Sequence, residues 1–316
     1  LIDEFDIECE LKRGNLELAA SPSDARELRE DAEHLQKHYD FDVLRYVETA
    51  EMAEMTSAQG FHGASLDTAA RHLHPLKYCL GLARAAADLG TTIHENSAVS
   101  HYSERDGVRV HSQQGHVDCD YLVLACNGYL GSLEKRVAGQ IMPINNYMLA
   151  TEPLDEATAR RISRDDTSLA DTRFVINYWK LSGDNRLLFG GGESYSSRFP
   201  KDIRAFVRPY MLRVYPELAD RRIDFGWGGT LAITLKRMPA FGRVTPRILY
   251  AHGYSGHGVP IATLAGRLLG EAISGTAERF DVMAEVPSPR FPGGTLLRWP
   301  ALVAGMLWYS LRDRLA

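Results

Sequence analysis

Ile248-Leu249-Tyr250-Ala251-His252-Gly253-Tyr254-Ser255-Gly256-His257-Gly258-Val259-Pro260 is an apolar run, then three closely spaced glycines, then the start of a helix. The run predicts a buried strand. Beyond the glycines, Ile261, Leu264, Ala265, Leu268, Leu269, Ala272 and Ile273 recur at helical spacing and Gly275 supplies a stop. Strand, glycine turn and helix in that order allow a backbone to approach a flat or anionic ligand closely. The unpaired N–H groups and positive dipole end at the helix start stabilise negative charge there. A plainer reading stays open, in which Gly253, Gly256 and Gly258 only shape a tight connection. A nucleophile elbow at Ser255 needs Gly-x-Ser-x-Gly, and His257 stands where the last glycine would be.

Upstream, Tyr121-Leu122-Val123-Leu124-Ala125 is continuously apolar, as strands buried on both faces are. Residues 98–102 and 108–112 flank Asp106-Gly107 as a hairpin would, and residues 91–95 read as a short strand. A helix before them carries Leu76, Leu80, Ala83 and Ala87 on one face, with Gly90 as its cap. Ser21-Pro22-Ser23-Asp24 is an N-cap, a proline at the first helical position and an acidic N3, so a helix is expected over 22–38. This is an α/β layer with a β-ribbon inserted. From residue 141 to 225 the pattern changes. Strand-like runs at 146–151, 174–179 and 187–191 follow one another across polar turns without crossovers, which predicts a mostly antiparallel second domain. Its helices are expected at 156–163 and 202–215, the latter carrying Ile203, Phe206, Val207, Tyr210, Met211 and Val214, with Pro209 positioned to kink it.

The chain's 316 residues, 45 % hydrophobic and 24 % charged with net charge −5, suffice for two domains and exclude disorder, collagen and coiled coil. Mixed charge along the chain offers no basic stripe, so nucleic acid is not an expected partner. Cys9, Cys79, Cys119 and Cys126 form no C-x-x-C pair and read as buried thiols of a reducing compartment. No run reaches the roughly 18 apolar residues of a membrane span, and the expected location is the cytoplasm. Leu1-Ile2-Asp3-Glu4-Phe5-Asp6 has no signal-peptide character and no initiator methionine, so the chain is expected to begin within a longer protein.

The glycine turn resembles the Gly-Tyr-Ser-Gly-His-Gly-Val stretch of the D-amino-acid oxidase-like superfamily of FAD oxidoreductases, and in particular its gamma-glutamylputrescine oxidoreductase branch. The resemblance covers nearly the whole chain. In that family the stretch matched by Gly253, Tyr254, Ser255, Gly256, His257, Gly258 and Val259 lies beside the pyrimidine edge of the flavin, where the reduced ring carries negative charge. Gly226-Trp227-Gly228-Gly229 and Thr234-Leu235-Lys236-Arg237-Met238-Pro239-Ala240-Phe241-Gly242 resemble the family's tryptophan-glycine segment and its Thr-x-x-x-x-Pro-x-x-Gly element. His74-Pro75-Leu76-Lys77-Tyr78 looks like the start of the helix before an ADP-contacting strand. The residue matching Val99 there contacts adenine through its main chain, and Ala125-Cys126-Asn127-Gly128 looks like the small-residue turn near the ADP moiety.

The resemblance implies an α/β fold with an α+β second domain. Residues 1–45, 75–142 and 226–290 would form an incomplete FAD-binding Rossmann-like domain, interleaved with a mainly antiparallel substrate domain of residues 46–74 and 143–225. Residues 291–316 are read as an amphipathic C-terminal helix docked on the protein, with Trp299, Leu302, Val303, Met306 and Leu307 on one face. No Gly-x-Gly-x-x-Gly follows a strand anywhere, and Gly190-Gly191-Gly192 leads to Glu193 without a helical pattern. The expectation is that the first βαβ unit is lacking, with an inactive fragment of such an enzyme as the alternative; a nicotinamide dehydrogenase would need the same absent fingerprint.

The activity implied is oxidation of the C–N bond of an amine or amino acid, gamma-glutamylputrescine-like, by hydride transfer to flavin N5 and hydrolysis of the imine, with oxygen or another carrier accepting the electrons. Trp227, Tyr254 and His257, with Tyr178 and Glu193 from the second domain, are the candidate lining residues; packing or solvation remains the plain reading of Tyr178, Trp227 and Glu193. Covalently flavinylated relatives use a cysteine near the tryptophan-glycine segment, and residues 227–237 contain none, so FAD is expected to be noncovalent. Pro260 stands where some oxidases of the superfamily carry a lysine. His34 and His38, one helical turn apart, lack the glutamate of His-Glu-x-x-His, and no metal site is expected.

Overall fold

The structure, a computed structural model, describes residues 1–173, 175–192 and 198–300. Two compact units share the chain: Leu1–Ile93 with Asn146–Gly229, and His94–Asn145 with Thr230 onward.

The first unit is built on the eight-stranded sheet, whose strand order is Ile223–Ile233, Met142–Thr151, Leu187–Gly190, Tyr178–Leu181, Ser168–Asp171, Lys12–Leu18, Ala64–His72 and Leu44–Val47. Both Met142–Thr151 and Ile223–Ile233 run across the unit boundary. From Met142–Thr151 to Leu44–Val47 the pairings are antiparallel as expected, except that Lys12–Leu18 runs parallel to Ser168–Asp171. Alternation puts Leu16, Leu18, Leu169, Trp179, Leu187, Phe189, Tyr147 and Leu149 in the core, together with Met52 and Met55, Ile162, and Val207, Met211 and Val214 from helices Thr49–Met55, Glu156–Ile162 and Ile203–Val214. Pro209 lies inside the last of these helices.

The helix expected at 22–38 spans Pro22–Tyr39, with Ser21 Oγ accepting the Asp24 N–H at 3.1 Å. It packs on the strands Leu44–Val47 and Ala64–His72. The helix Pro75–Asp88 also forms, and Gly90 at φ +93 ends it. Its buried face is not the expected one. Leu76 and Leu80 are 61 % and 59 % exposed, whereas Tyr78, Gly81 and Ala85 are buried. Gly81 explains the choice, because a Cβ there would press into Ile7. Residues 1–45 and 75–93, expected with the dinucleotide-binding domain, cluster instead with the eight-stranded sheet, since Lys12–Leu18 is one of its inner strands.

In the second unit, Ile248–His252 pairs antiparallel with Ala240–Thr245 and parallel with Leu122–Leu124. The ribbon forms with one strand more than expected: Val99–Glu104, Val108–Ser112 and His116–Cys119. Residues 91–95 form no strand. Helix Gly258–Ile273 buries Ala265, Leu268 and Leu269 against Phe241, Leu249 and Ala251, while Leu264 stays 40 % exposed. Of the expected C-terminal helix, residues 294–300 are helical and the rest lies outside the described residues. No helix among the described residues is long and apolar enough to cross a membrane.

Candidate functional site

Two turns follow the carboxyl ends of the adjacent parallel strands Leu122–Leu124 and Ile248–His252, where open α/β sheets bind ligands. The first is Ala125-Cys126-Asn127-Gly128, the second the glycine turn. They are joined by one hydrogen bond, from the Gly253 N–H to Asn127 Oδ1 at 3.0 Å. Both residues sit at positive φ, +44 for Asn127 and +72 for Gly253. Asparagine tolerates that region because its short amide bonds locally. Gly253 has a second reason to lack a side chain, since a Cβ would lie 3.2 Å from Ile141 Cγ2 and against the Thr234 methyl. At Gly128 a Cβ would lie 2.6 Å from the Thr230 carbonyl oxygen.

The rest of the turn is held from below. Ser255 donates its N–H to Ala232 O at 3.0 Å and its Oγ–H to Gly253 O at 3.1 Å, and accepts the Thr234 N–H at 3.3 Å. A buried, fully engaged hydroxyl is no nucleophile, which disposes of the elbow reading. Tyr254 is buried too, its hydroxyl donated to Ala251 O at 3.1 Å, so it props the turn rather than facing outward. Under the strand end, burial pushes the His252 imidazole down to about 4, and its Nε2 meets Gln140 Oε1 at 3.1 Å. A neutral imidazole donates through Nε2 to that carbonyl oxygen. Gly256, His257 and Val259 are exposed, and Gly256, at φ +99, has open space where a Cβ would be. The first-turn N–H groups of the helix starting at Gly258 have no acceptor within the helix. A flat group with a negatively charged edge fits this open backbone surface, as the pyrimidine side of a flavin requires. Burial raises the pKa of the Cys126 thiol beside it and so keeps it in the unreactive protonated form.

The other predicted residues lie in the first unit. Tyr178 is half-buried on the sheet face opposite the core, its hydroxyl donating to Asn146 Oδ1, and burial pushes that hydroxyl up to about 12. Its ring fills the space over Gly190 beside Met148, where a Cβ would collide with both. Trp227 is 43 % exposed and lines a hollow of about 670 Å³ with Lys201, Arg204 and Phe225. Gly228 alternates with it, and a Cβ there would stand 2.8 Å from Asn146 O and against Phe199, so close packing accounts for this glycine. Val99 opens the ribbon, opposite Ser112. Glu193 lies outside the described residues.

The structure thus brings Asn127, Gly128 and Gly253 to Val259 together in the second unit, while Tyr178, Trp227 and Gly228 belong to the first. Sequence reasoning missed Asn146, whose signal was only its place on a strand. Among the described residues no group of three or more His, Cys, Asp or Glu side chains could hold a metal ion; the His34 and His38 rings lie 4.7 Å apart, tilted by 41°, on an exposed helix face.

This arrangement has counterparts. The chain is 37 % identical over 315 residues to gamma-glutamylputrescine oxidoreductase of Escherichia coli K12, covering 99 % of this chain and 74 % of that protein. It is 35 % identical over 318 residues to the probable oxidoreductase OrdL of Haemophilus influenzae, covering 99 % and 73 %. The fold matches the crystal structure of glycine oxidase from Geobacillus kaustophilus with a TM-score of 0.78 over 92 % of this chain and 78 % of that one, at 18 % identity. The family described as FAD dependent oxidoreductase, DAO, matches residues 1–272, a span that includes both turns and the whole eight-stranded sheet. The protein is therefore an enzyme of the DAO family of FAD-dependent oxidoreductases.

Proposed function

We propose that the protein oxidises the primary amine of a γ-glutamyl-diamine such as gamma-glutamylputrescine, with FAD held noncovalently and oxygen or another carrier as electron acceptor. The observation that carries this reading is the pair of turns tied by Asn127 and Gly253 at the carboxyl ends of parallel strands. The substrate class is supported by the 37 % identity to the enzyme of that name. FAD, when bound, supplies the two-electron oxidant for the carbon bearing the amine.

The chain's own residues bind, orient and exclude water. The N–H groups at the start of helix Gly258–Ile273 and the open backbone at Gly256 hold the anionic edge of the cofactor, and His257 borders it. Ala125, Cys126, Asn127 and Gly128, with the Val99 main chain, serve its ADP side. A protonated Cys126 thiol and the absence of cysteine from residues 227–237 favour noncovalent attachment. On the first unit, Tyr178 stays a neutral donor across the physiological range, locked on Asn146, and Trp227 offers an exposed apolar wall to an alkyl chain. The second unit is then the FAD-holding body and the first the substrate body. The four cysteines are free, though only Cys9 is buried as expected, with Cys79 exposed and Cys119 and Cys126 half-buried; free thiols accord with a cytoplasmic location.

The test is anaerobic mixing of the FAD-loaded protein with gamma-glutamylputrescine. The oxidised flavin band should bleach in proportion to amine added. A flavin that binds but stays oxidised with every γ-glutamyl-diamine, yet bleaches with glycine or proline, would move the assignment to amino acids.

A further inference from the structure

We infer that His101 and His111 form a two-histidine site for a divalent transition-metal ion of the Zn²⁺ and Ni²⁺ class, on the outer face of the three-stranded ribbon. The two residues are direct partners on the antiparallel strands Val99–Glu104 and Val108–Ser112. Directly opposed side chains share a face, and these imidazoles stand face to face, with centroids 4.3 Å apart and an interplanar angle of 4°. His116 is the partner of His111 on the third strand, its ring 6.0 Å from that of His111. Imidazoles thus cross the ribbon in a row. Core packing does not call for them, because Val108, with Tyr102, Val110 and Cys119, supplies the ribbon's apolar face. The histidine face is open: His101 and His116 are exposed and His111 is half-buried.

A bulge prepares the first ligand. The register passes from Val99 opposite Ser112 to His101 opposite His111, so Ser100 is the extra residue. Its Oγ lies 3.0 Å from His101 Nδ1 and donates to the His111 carbonyl oxygen at 3.3 Å. A hydroxyl has one proton, and with that proton on the carbonyl the His101 Nδ1–H donates to Oγ. The Nε2 lone pair of His101 is then left for a metal, and an outer hydrogen bond of this kind is what orients metal-bound histidines. Among the described residues no hydrogen bond engages the His111 ring, so its nitrogens are open to the same ion. Metal–nitrogen bonds of about 2.0–2.1 Å place two such nitrogens about 3.0–3.4 Å apart, which the stacked rings reach by tilting toward each other. Arg109, on the same face, is held by Asp118 at 2.6 and 2.8 Å, which offsets its charge toward an arriving cation. Two protein ligands leave the other coordination positions to water. Imidazole favours Zn²⁺, Ni²⁺ and Cu²⁺ over Mg²⁺ and Ca²⁺, which take oxygen ligands. The pair His34 and His38 serves as a comparison, since both are exposed, their rings are tilted by 41°, and no hydrogen bond orients either ring.

The test titrates the FAD-loaded protein, free of any histidine tag, with Zn²⁺ and with Ni²⁺ in a calorimeter, and with Mg²⁺ as the control. The variants are His111→Gln, His101→Gln, Ser100→Ala and, from the helix pair, His38→Gln. The expected result is one Zn²⁺ or Ni²⁺ ion bound per chain and no heat with Mg²⁺. Affinity should fall by about tenfold or more in His111→Gln and His101→Gln, by less in Ser100→Ala, which only frees the His101 ring, and not at all in His38→Gln. Zn²⁺ should raise the Tm of the wild-type protein and leave that of His111→Gln unchanged. In the wild-type chain Zn²⁺ should also protect His101 and His111 from diethyl pyrocarbonate, read by mass spectrometry, a result that does not depend on how well any variant folds. Equal affinity in wild type and His111→Gln, loss of binding in His38→Gln instead, or unprotected His101 and His111 at millimolar Zn²⁺ would overturn the inference. None of these outcomes bears on the amine-oxidising reading, which the flavin spectrum tests separately.

Discussion

Asn127 is the residue on which the geometry of the two turns depends, and two substitutions separate its contributions. Asn127→Gly keeps the φ of +44 without steric cost but removes the acceptor of the Gly253 N–H. Gly253 is buried, so its N–H is left unpaired, at about 1–3 kcal/mol. Asn127→Ala loses the same bond and also the amide that lets asparagine tolerate the left-handed region, which exposes the alanine to a penalty of up to about 1–2 kcal/mol there. The predicted order of stability is wild type, Asn127→Gly, Asn127→Ala, with a total loss of about 2–5 kcal/mol for the last. Urea unfolding gives the free energies, and hydrogen exchange on a peptide spanning Gly253 reports the bond itself. Both variants should lose protection at that amide and bind FAD more weakly. Wild-type protection at Gly253 in Asn127→Gly, with stability within about 0.5 kcal/mol, would refute the claim that this bond joins the turns.

Three further outcomes follow from the second unit. His252 stays neutral in the fold down to about pH 4, while the unfolded chain takes up a proton below about 6.5, so its stabilisation is complete above 6.5 and drains away as pH falls toward 4. Urea unfolding should show about 2 kcal/mol lost between pH 7 and 5, a slope that His252→Gln removes; an unchanged slope would contradict the assignment. Glu134, held down to about 2 chiefly by Arg136 with help from Tyr102, contributes above its ordinary value of 4.5 and loses that contribution as pH falls from 4.5 to 2. Glu134→Gln should cost about 1–2 kcal/mol at pH 7, discounted because Arg136 is half exposed, and proton-linked calorimetry should show the acid step gone. Gly128→Ala places a Cβ 2.6 Å from Thr230 O and 3.0 Å from the Leu231 backbone, so thermal unfolding should show a loss of about 1–3 kcal/mol and weaker FAD binding.

Local signals were legible where one residue type answers one backbone need. Ser21 and Pro22 start their helix, Gly90 and Gly275 end theirs at φ +93 and +102, and Asp106-Gly107 turns the ribbon, as the spacing predicts. The glycine turn was legible for the same reason. What the sequence hid depends on partners distant along the chain. Helix Pro75–Asp88 carries two plausible faces, and Ile7 packed over Gly81 selects the less apolar one. The parallel pairing of Lys12–Leu18 with Ser168–Asp171 joins residues about 150 positions apart and moves the N-terminal segment into the first unit. Residues 91–95 alternate too weakly to hold a strand without a neighbour to pair with.

The central claim is that an amine reduces a flavin bound at the turn of Gly253 to Val259. Its most direct test is a visible spectrum of the FAD-loaded protein, recorded anaerobically before and after one equivalent of gamma-glutamylputrescine, beside the same experiment on Asn127→Ala. The account predicts bleaching of the oxidised band in the wild-type protein and reduced flavin content in the variant. A wild-type protein whose bound flavin is left oxidised by that amine, or a variant that binds FAD as tightly as wild type, would contradict it.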